Sequence, residues 1–283
     1  GGGGGGGGAA AAAASEPKVD GTDVFFRHEY HLNSAISRYD KQLSILDGIT
    51  MGGGCGLSLH SAFPVSTGRT SLAMPETGIG LFPDVGGSAF LPRLGGWGTY
   101  LGVTGARIDG ETCRRLGITK CYVPDWEAEE DTVVSRLEDG EDAAEVLADF
   151  DRGGGDRGPV DDLVDECFGT YDFDGIVESL AASSHPLASE TLEALKTKSP
   201  ASVCVTLEQL RRGKDMGCDV DACLKMEFDI CQNVMRLEGS DFYEGIRALL
   251  VDKDNSPKWR DEWGKVDVEE YFREAEVPWT REG

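Results

Sequence analysis

Nowhere does the sequence hold an uninterrupted run of apolar residues long enough to form a membrane-spanning helix. Positive charge is scarce: 27 Lys and Arg stand against 51 Asp and Glu, for a formal net charge of −24. Non-specific nucleic-acid binding is excluded on that ground, because it depends on clustered Lys and Arg that displace counterions from phosphates. There are four His, and the eight Cys (Cys55, Cys113, Cys121, Cys167, Cys204, Cys218, Cys223 and Cys231) form no CxxC pair and meet no His at metal-ligand spacing. Neither a zinc site nor a disulfide framework is expected, and the thiols read as reduced. An initiator Met is also missing, and the first fourteen residues, eight Gly followed by six Ala, have no periodic apolar face that could join a core. The chain is expected to be a piece of a longer one, with any targeting peptide upstream.

What is present suffices for a sizeable core, since 40% of the 283 residues are hydrophobic. The acidity is concentrated. Between Pro124 and Asp174 there are 19 Asp and Glu against three Arg and no Lys, which reads as exposed helix faces and loop. Apolar residues at Phe25, Phe26, Tyr30, Ala35, Ile36 and Tyr39 predict an amphipathic helix over Thr22 to Tyr39. Short extended runs follow at Leu43–Leu46, Ile49–Met51, Ala62–Val65, Ser71–Met74 and Cys121–Val123, with a helix opening after Gly52-Gly53-Gly54 and helical patterns around Trp97–Val103 and Gly110–Leu116. Repeated strand and helix units of this size predict an α/β layer fold. Beyond the polar interruption DRGGGDRGP at Asp151 to Pro159, the patterns are almost entirely helical: Gly175–Ala182, Leu187–Lys196, Ala201–Arg212, Val220–Leu237 and Phe242–Leu250.

Two places could carry chemistry. Gly52 to Gly56 (GGGCG) follows a strand and opens a helix, so its amides are unpaired donors that a carbonyl can approach closely, as an oxyanion hole requires. Three glycines also suit a tight turn that lets a helix pack on a strand. Downstream, Glu76 follows Pro75 and Asp84 follows Pro83, on a loop that prolines and glycines keep from forming a regular helix before Val85. Two carboxylates held on such a loop could converge for acid-base or nucleophilic work. Equally, Asp84 could cap a helix starting near Gly86 and Glu76 could be a solvated loop residue.

The stretches ITMGGGCGLS at Ile49 to Ser58, AMPETGIGLFPDVGGSAFLPRL at Ala73 to Leu94 and DFYEGIRALLVDKDNSPKW at Asp241 to Trp259 resemble the 3-hydroxyisobutyryl-CoA hydrolases of the crotonase superfamily. So do FFRHEY at Phe25 to Tyr30 and TGARIDGETCRRLGI at Thr104 to Ile118. The resemblance implies an α/β crotonase-like spiral of ββα units, partial over 21–150 after a low-complexity 1–20, followed by a mainly helical 151–283. It implies hydrolysis of a short branched 3-hydroxyacyl-CoA in valine breakdown, without metal or redox cofactor, in the mitochondrion; a peroxisomal or cytoplasmic home and a homo-oligomer are compatible with it. Carried over by position, Gly53 matches the oxyanion-hole glycine, Glu76 and Asp84 the catalytic carboxylates, and Glu29 a substrate-contacting glutamate.

Gly56 stands where related hydratases usually place a catalytic Glu, which weakens the alternative of an enoyl-CoA hydratase or isomerase. A further alternative is a non-catalytic member kept for binding or structure. The early strands of that family and its second oxyanion donor have no counterpart here beyond poly-Gly and poly-Ala, so this chain by itself is expected to be a poor catalyst.

Overall fold

A computed structural model describes residues 21–277 and 279. The chain opens with helix α1 (Gly21–Arg38), then lays down β1 (Leu43–Leu46), β2 (Ile49–Met51), α2 (Gly53–Leu59), β3 (Phe63–Thr67) and β4 (Ser71–Ala73). A 3-10 turn (Glu76–Ile79) leads to the short helix α3 (Gly87–Phe90), a second 3-10 turn (Leu91–Leu94), α4 (Gly96–Thr104), β5 (Ile108–Asp109), α5 (Gly110–Arg115) and β6 (Cys121–Val123). Eight helices follow: α6 (Trp126–Glu138), α7 (Ala143–Phe150), α8 (Pro159–Cys167), α9 (Phe173–Ala182), α10 (Ala188–Lys196), α11 (Pro200–Asp215), α12 (Val220–Arg236) and α13 (Asp241–Ile246), the last running into a π turn (Arg247–Val251).

The six strands are divided between two sheets. β1, β3 and β6 form one, all parallel, with Ile45 opposite Val65 and Val65 opposite Cys121. β2, β4 and β5 form the other, with β2 and β4 parallel and β5 antiparallel to β4. The passes β1–β2 and β3–β4 each contribute one strand to each sheet, which winds the backbone into a spiral; β5 then adds to the second sheet, and β6 returns to the first after α5. Among the described residues, β1 and β2 are outer strands with unpaired edges. A 440 Å³ cleft lined by Ser44, Leu46, Ile49, Gly54 and Leu57 runs beside them, and Ile49 is 73% exposed.

The largest buried cluster joins Tyr30, Leu46, Leu72, Met74, Leu91 and Leu101 to Leu163, Phe168, Leu207 and Phe228, so residues on both sides of position 151 share one interior. Each fully buried side chain of this kind contributes about 1.5–3 kcal/mol of transfer free energy. A smaller cluster of Val65, Cys121, Val123, Trp126, Val133 and Leu147 ties α6 and α7 to the first sheet.

The acidic stretch does hold largely exposed helix faces, and its Asp residues have a second use: Asp125, Asp142 and Asp172 each accept a hydrogen bond from a first-turn amide of α6, α7 and α9. Such caps are worth about 1 kcal/mol apiece. All eight cysteines are free thiols.

One sequence expectation needs correction. Phe25 and Tyr39, assigned to the apolar stripe of α1, are 59% and 56% exposed, whereas Asp23, Asn33 and Ser34 are buried. The inward face of α1 sets polar residues beside Tyr30 and Ile36: Asp23 pairs with Arg236 and the Ser34 hydroxyl donates to Asp221, both on α12, while Asn33 lies against the glycine-rich start of α2.

Candidate active site

The turn after β2 requires glycine. Gly52 has φ 48° and ψ −122°, a left-handed conformation that a side chain would strain, and it places Gly53 as the first residue of α2. First-turn amides of a helix have no intrahelical acceptor, so the Gly53 N–H is available to another group. α2 then divides its faces: Gly54, Leu57 and Ser58 line the cleft along β1 and β2, while Gly53 and Gly56 look toward α1. A side chain begun at Gly53 would meet Glu29 Oε1 at 2.7 Å, and one begun at Gly52 would meet Glu76 Oε1 at 3.6 Å.

Glu76 heads the 3-10 turn that follows β4, a bend that Pro75 enforces. It is 5% exposed, and its Oε2 has no hydrogen-bond partner among the described residues. Asp84 is as deeply buried, and its Oδ2 accepts a 2.7 Å hydrogen bond from the Tyr30 hydroxyl. Burial drives the Glu76 carboxyl well above its usual range, and the negative charge of Asp84 adds to the rise. Asp84 is pushed up to about 7, first by burial and then by Glu29, while the Tyr30 hydrogen bond opposes the shift by favouring the charged form. Glu29, half-buried, is raised by desolvation alone.

The Asp84 loop is held along its backbone by three side chains, from Gln209, His60 and Glu227. Its backbone is strained at Val85, a β-branched residue at φ 52°, a conformation that costs of order 1–3 kcal/mol. Gln209 Nε2 donates to the Pro83 carbonyl at 2.7 Å, and His60 Nε2 lies 2.7 Å from the Val85 carbonyl. Since a carbonyl can only accept, that nitrogen carries the proton; burial lowers the His60 pKa and keeps the ring neutral. The fully buried Glu227 takes the Gly86 amide at 2.7 Å and the Ser88 amide and hydroxyl at 2.8 and 2.5 Å. The carboxylate that caps α3 thus comes from α12. Asp84, a capping candidate by sequence, turns its side chain to Tyr30 instead.

The structure therefore brings Glu29, Gly53, Glu76 and Asp84 together. Position 56 offers no space. A Cβ there would lie 2.7 Å from Asn33 Nδ2 and 2.8 Å from the Val85 Cβ, closer than real side chains approach. An acid projecting from this turn, as a hydratase would use, has no room.

Tyr30, Asn33, Gln209 and Glu227 were not singled out from sequence as site residues. For Glu227 a signal existed: it falls on the apolar stripe of α12 with Cys223, Leu224, Phe228 and Cys231, and an unpaired acid on a buried stripe marks a specific hydrogen-bonding duty.

The profile of the enoyl-CoA hydratase/isomerase family matches residues 4–272. The chain belongs to that family. Within the family it is 41% identical over 261 residues to the mitochondrial 3-hydroxyisobutyryl-CoA hydrolase of Rattus norvegicus, covering 87% of this chain and 67% of the relative. It is 40% identical over 253 residues to the Homo sapiens protein of the same name, covering 84% and 64%, and 39% identical over 270 residues to 3-hydroxyisobutyryl-CoA hydrolase 1 of Arabidopsis thaliana, covering 89% and 71%. The chain thus spans about two thirds of the length of these relatives.

Among solved structures it resembles a carnitinyl-CoA dehydratase from Mycobacterium thermoresistibile, with a TM-score of 0.81 and 35% identity over 92% of this chain and 76% of that one. An enoyl-CoA hydratase from Rhodobacter sphaeroides gives a TM-score of 0.76 and 36% identity over 88% and 72%. The spiral of ββα units followed by helices is the fold these relatives share.

Proposed function

We propose that the full-length protein hydrolyses an acyl-CoA thioester, 3-hydroxyisobutyryl-CoA, to 3-hydroxyisobutyrate and CoA, a step of valine breakdown, and that it works in the mitochondrion like the vertebrate relatives whose names say so. The observation that carries this reading is the buried pair Glu76 and Asp84 beside the Gly53 amide, in a site whose third acid position is closed by Asn33 and Val85. The hydratase names of the solved relatives find no matching acid at Gly56.

The pair holds one proton and one negative charge near neutral pH. Burial and the neighbouring charge keep the proton on Glu76, and the Tyr30 hydrogen bond favours charge on Asp84. With the thioester oxygen on the Gly53 amide, ionised Asp84 takes a proton from water as the water oxygen bonds to the carbonyl carbon, and the amide stabilises the oxyanion that forms. As the oxyanion collapses the C–S bond breaks, and the departing sulfur takes the proton of Glu76. Transfer of the proton from Asp84 to Glu76 restores the starting state, so one water is consumed and an acid and a thiol are released. Glu29, against Gly53, contacts the bound acyl group. The chemistry calls on no cofactor, because CoA is itself the leaving group.

The experiment is thiol release from 3-hydroxyisobutyryl-CoA, run beside hydration of crotonyl-CoA. Thiol release that disappears in Glu76→Gln with the fold intact is the expected result. Efficient hydration of crotonyl-CoA without thioester cleavage would overturn the reading. A single turnover in heavy-oxygen water tests for direct attack by Glu76. Label only in the product acid is expected, and label in the Glu76 side chain would show that this carboxylate attacks the carbonyl directly.

A further inference from the structure

Asn33 is unused by the chemistry above. It is 0% exposed, and neither Nδ2 nor Oδ1 has a hydrogen-bond partner among the described residues. Leaving a buried polar group unsatisfied costs about 1–3 kcal/mol, so a folded protein that keeps one has a use for it. Its place suggests the use. Asn33 is one helical turn beyond Glu29 and three residues beyond Tyr30, on the face of α1 that meets the carboxylate cluster. Its amide fills the space a side chain at Gly56 would need, against Val85, the residue that follows Asp84.

A carboxamide is neutral and offers both a donor and an acceptor, and the group that complements both at once is a hydroxyl. An anionic ligand group would be repelled from this position by Glu29 and ionised Asp84. We infer that Asn33 hydrogen-bonds the hydroxyl on the acyl chain of the substrate, and so sets a preference for hydroxyacyl over plain acyl thioesters. The inference rests on the thioesterase reading above.

The test compares 3-hydroxyisobutyryl-CoA with isobutyryl-CoA, which lacks only the hydroxyl, on the full-length protein and on Asn33→Leu and Asn33→Ala. Each variant should lose on the order of 10- to 100-fold in kcat/KM on the hydroxyacyl thioester and nothing on the plain one. Asn33→Leu, close to Asn in shape, should melt no lower than the parent, because an unsatisfied polar group has been replaced by an apolar one. Equal losses on both thioesters would overturn the inference and place Asn33 on the attacking water or in the scaffold; so would an unchanged preference. Failure of the unmodified protein on both thioesters would instead sink the hydrolase reading.

Discussion

The Tyr30 hydroxyl reaches across 54 residues of sequence to hydrogen-bond Asp84 Oδ2 at 2.7 Å inside the core. A carboxylate sealed from water resists ionisation, and this bond is what offsets the resistance: Asp84 rises to about 7 under burial and Glu29, with Tyr30 pulling it down. Helix α1 thereby poises the charge on one member of the pair.

Tyr30→Phe should remove that pull and leave the packing of the ring nearly unchanged. The Asp84 pKa then rises above its present value of about 7, and at pH 7 a smaller fraction of the protein has the base ionised. The acidic limb of the kcat profile should move to higher pH by about one unit, with a smaller change in KM. A limb that stays in place would show that Asp84 is not the base.

Stability should depend on pH in the sense opposite to a salt-bridged carboxylate. An Asp carboxyl ordinarily titrates near 3.8 and Asp84 in the folded protein at about 7, so between those values the native state binds the extra proton. Folding stability is greatest below the lower value, falls as pH rises through the window, and bears the full penalty above about 7. Asp84→Asn should therefore melt higher than the parent at pH 8, by an amount equivalent to on the order of 2 kcal/mol, and lose that advantage near pH 4. Glu76→Gln should behave alike, because its shift has the same sign. Parallel melting curves across this range would contradict the burial of the pair.

Gly56 should tolerate no side chain. Gly56→Ala puts a methyl where Asn33 and Val85 already stand, at 2.7–3.0 Å, and should cost about 1–3 kcal/mol by overpacking. Gly56→Glu should cost more and confer no crotonyl-CoA hydration, as thermal melts and a hydration assay would show. A stable Gly56→Glu protein that hydrates crotonyl-CoA would mean that the α1 face is not packed as described.

Much of this protein is fixed by local pattern. The strand runs at Leu43–Leu46, Ile49–Met51 and Cys121–Val123 fall where the sequence predicts them, because short apolar runs bounded by Gly and Asp leave few alternatives. Helices α9 to α13 do so as well, from their apolar periodicity and from the Asp and Ser residues that cap most of them, whereas α8 (Pro159–Cys167) does not figure among the expected helices. Glu76 and Asp84 stand out in the chain through the prolines that precede them.

The partners of these residues are another matter. Tyr30 reads as one more aromatic on an amphipathic stripe, Asn33 as a residue of the polar face, and Glu227 as an acid on an apolar stripe whose partner the sequence does not name. Each acquires its role from elements far away in sequence: α1 laid over α2, and α12 laid against the Asp84 loop 139 and 141 residues back. Periodicity reports which face of a helix is apolar, and burial is then inferred from it. Where the buried face is polar because a site lies beneath, that inference fails, and only the assembled tertiary structure shows which polar groups are inside and what they hold.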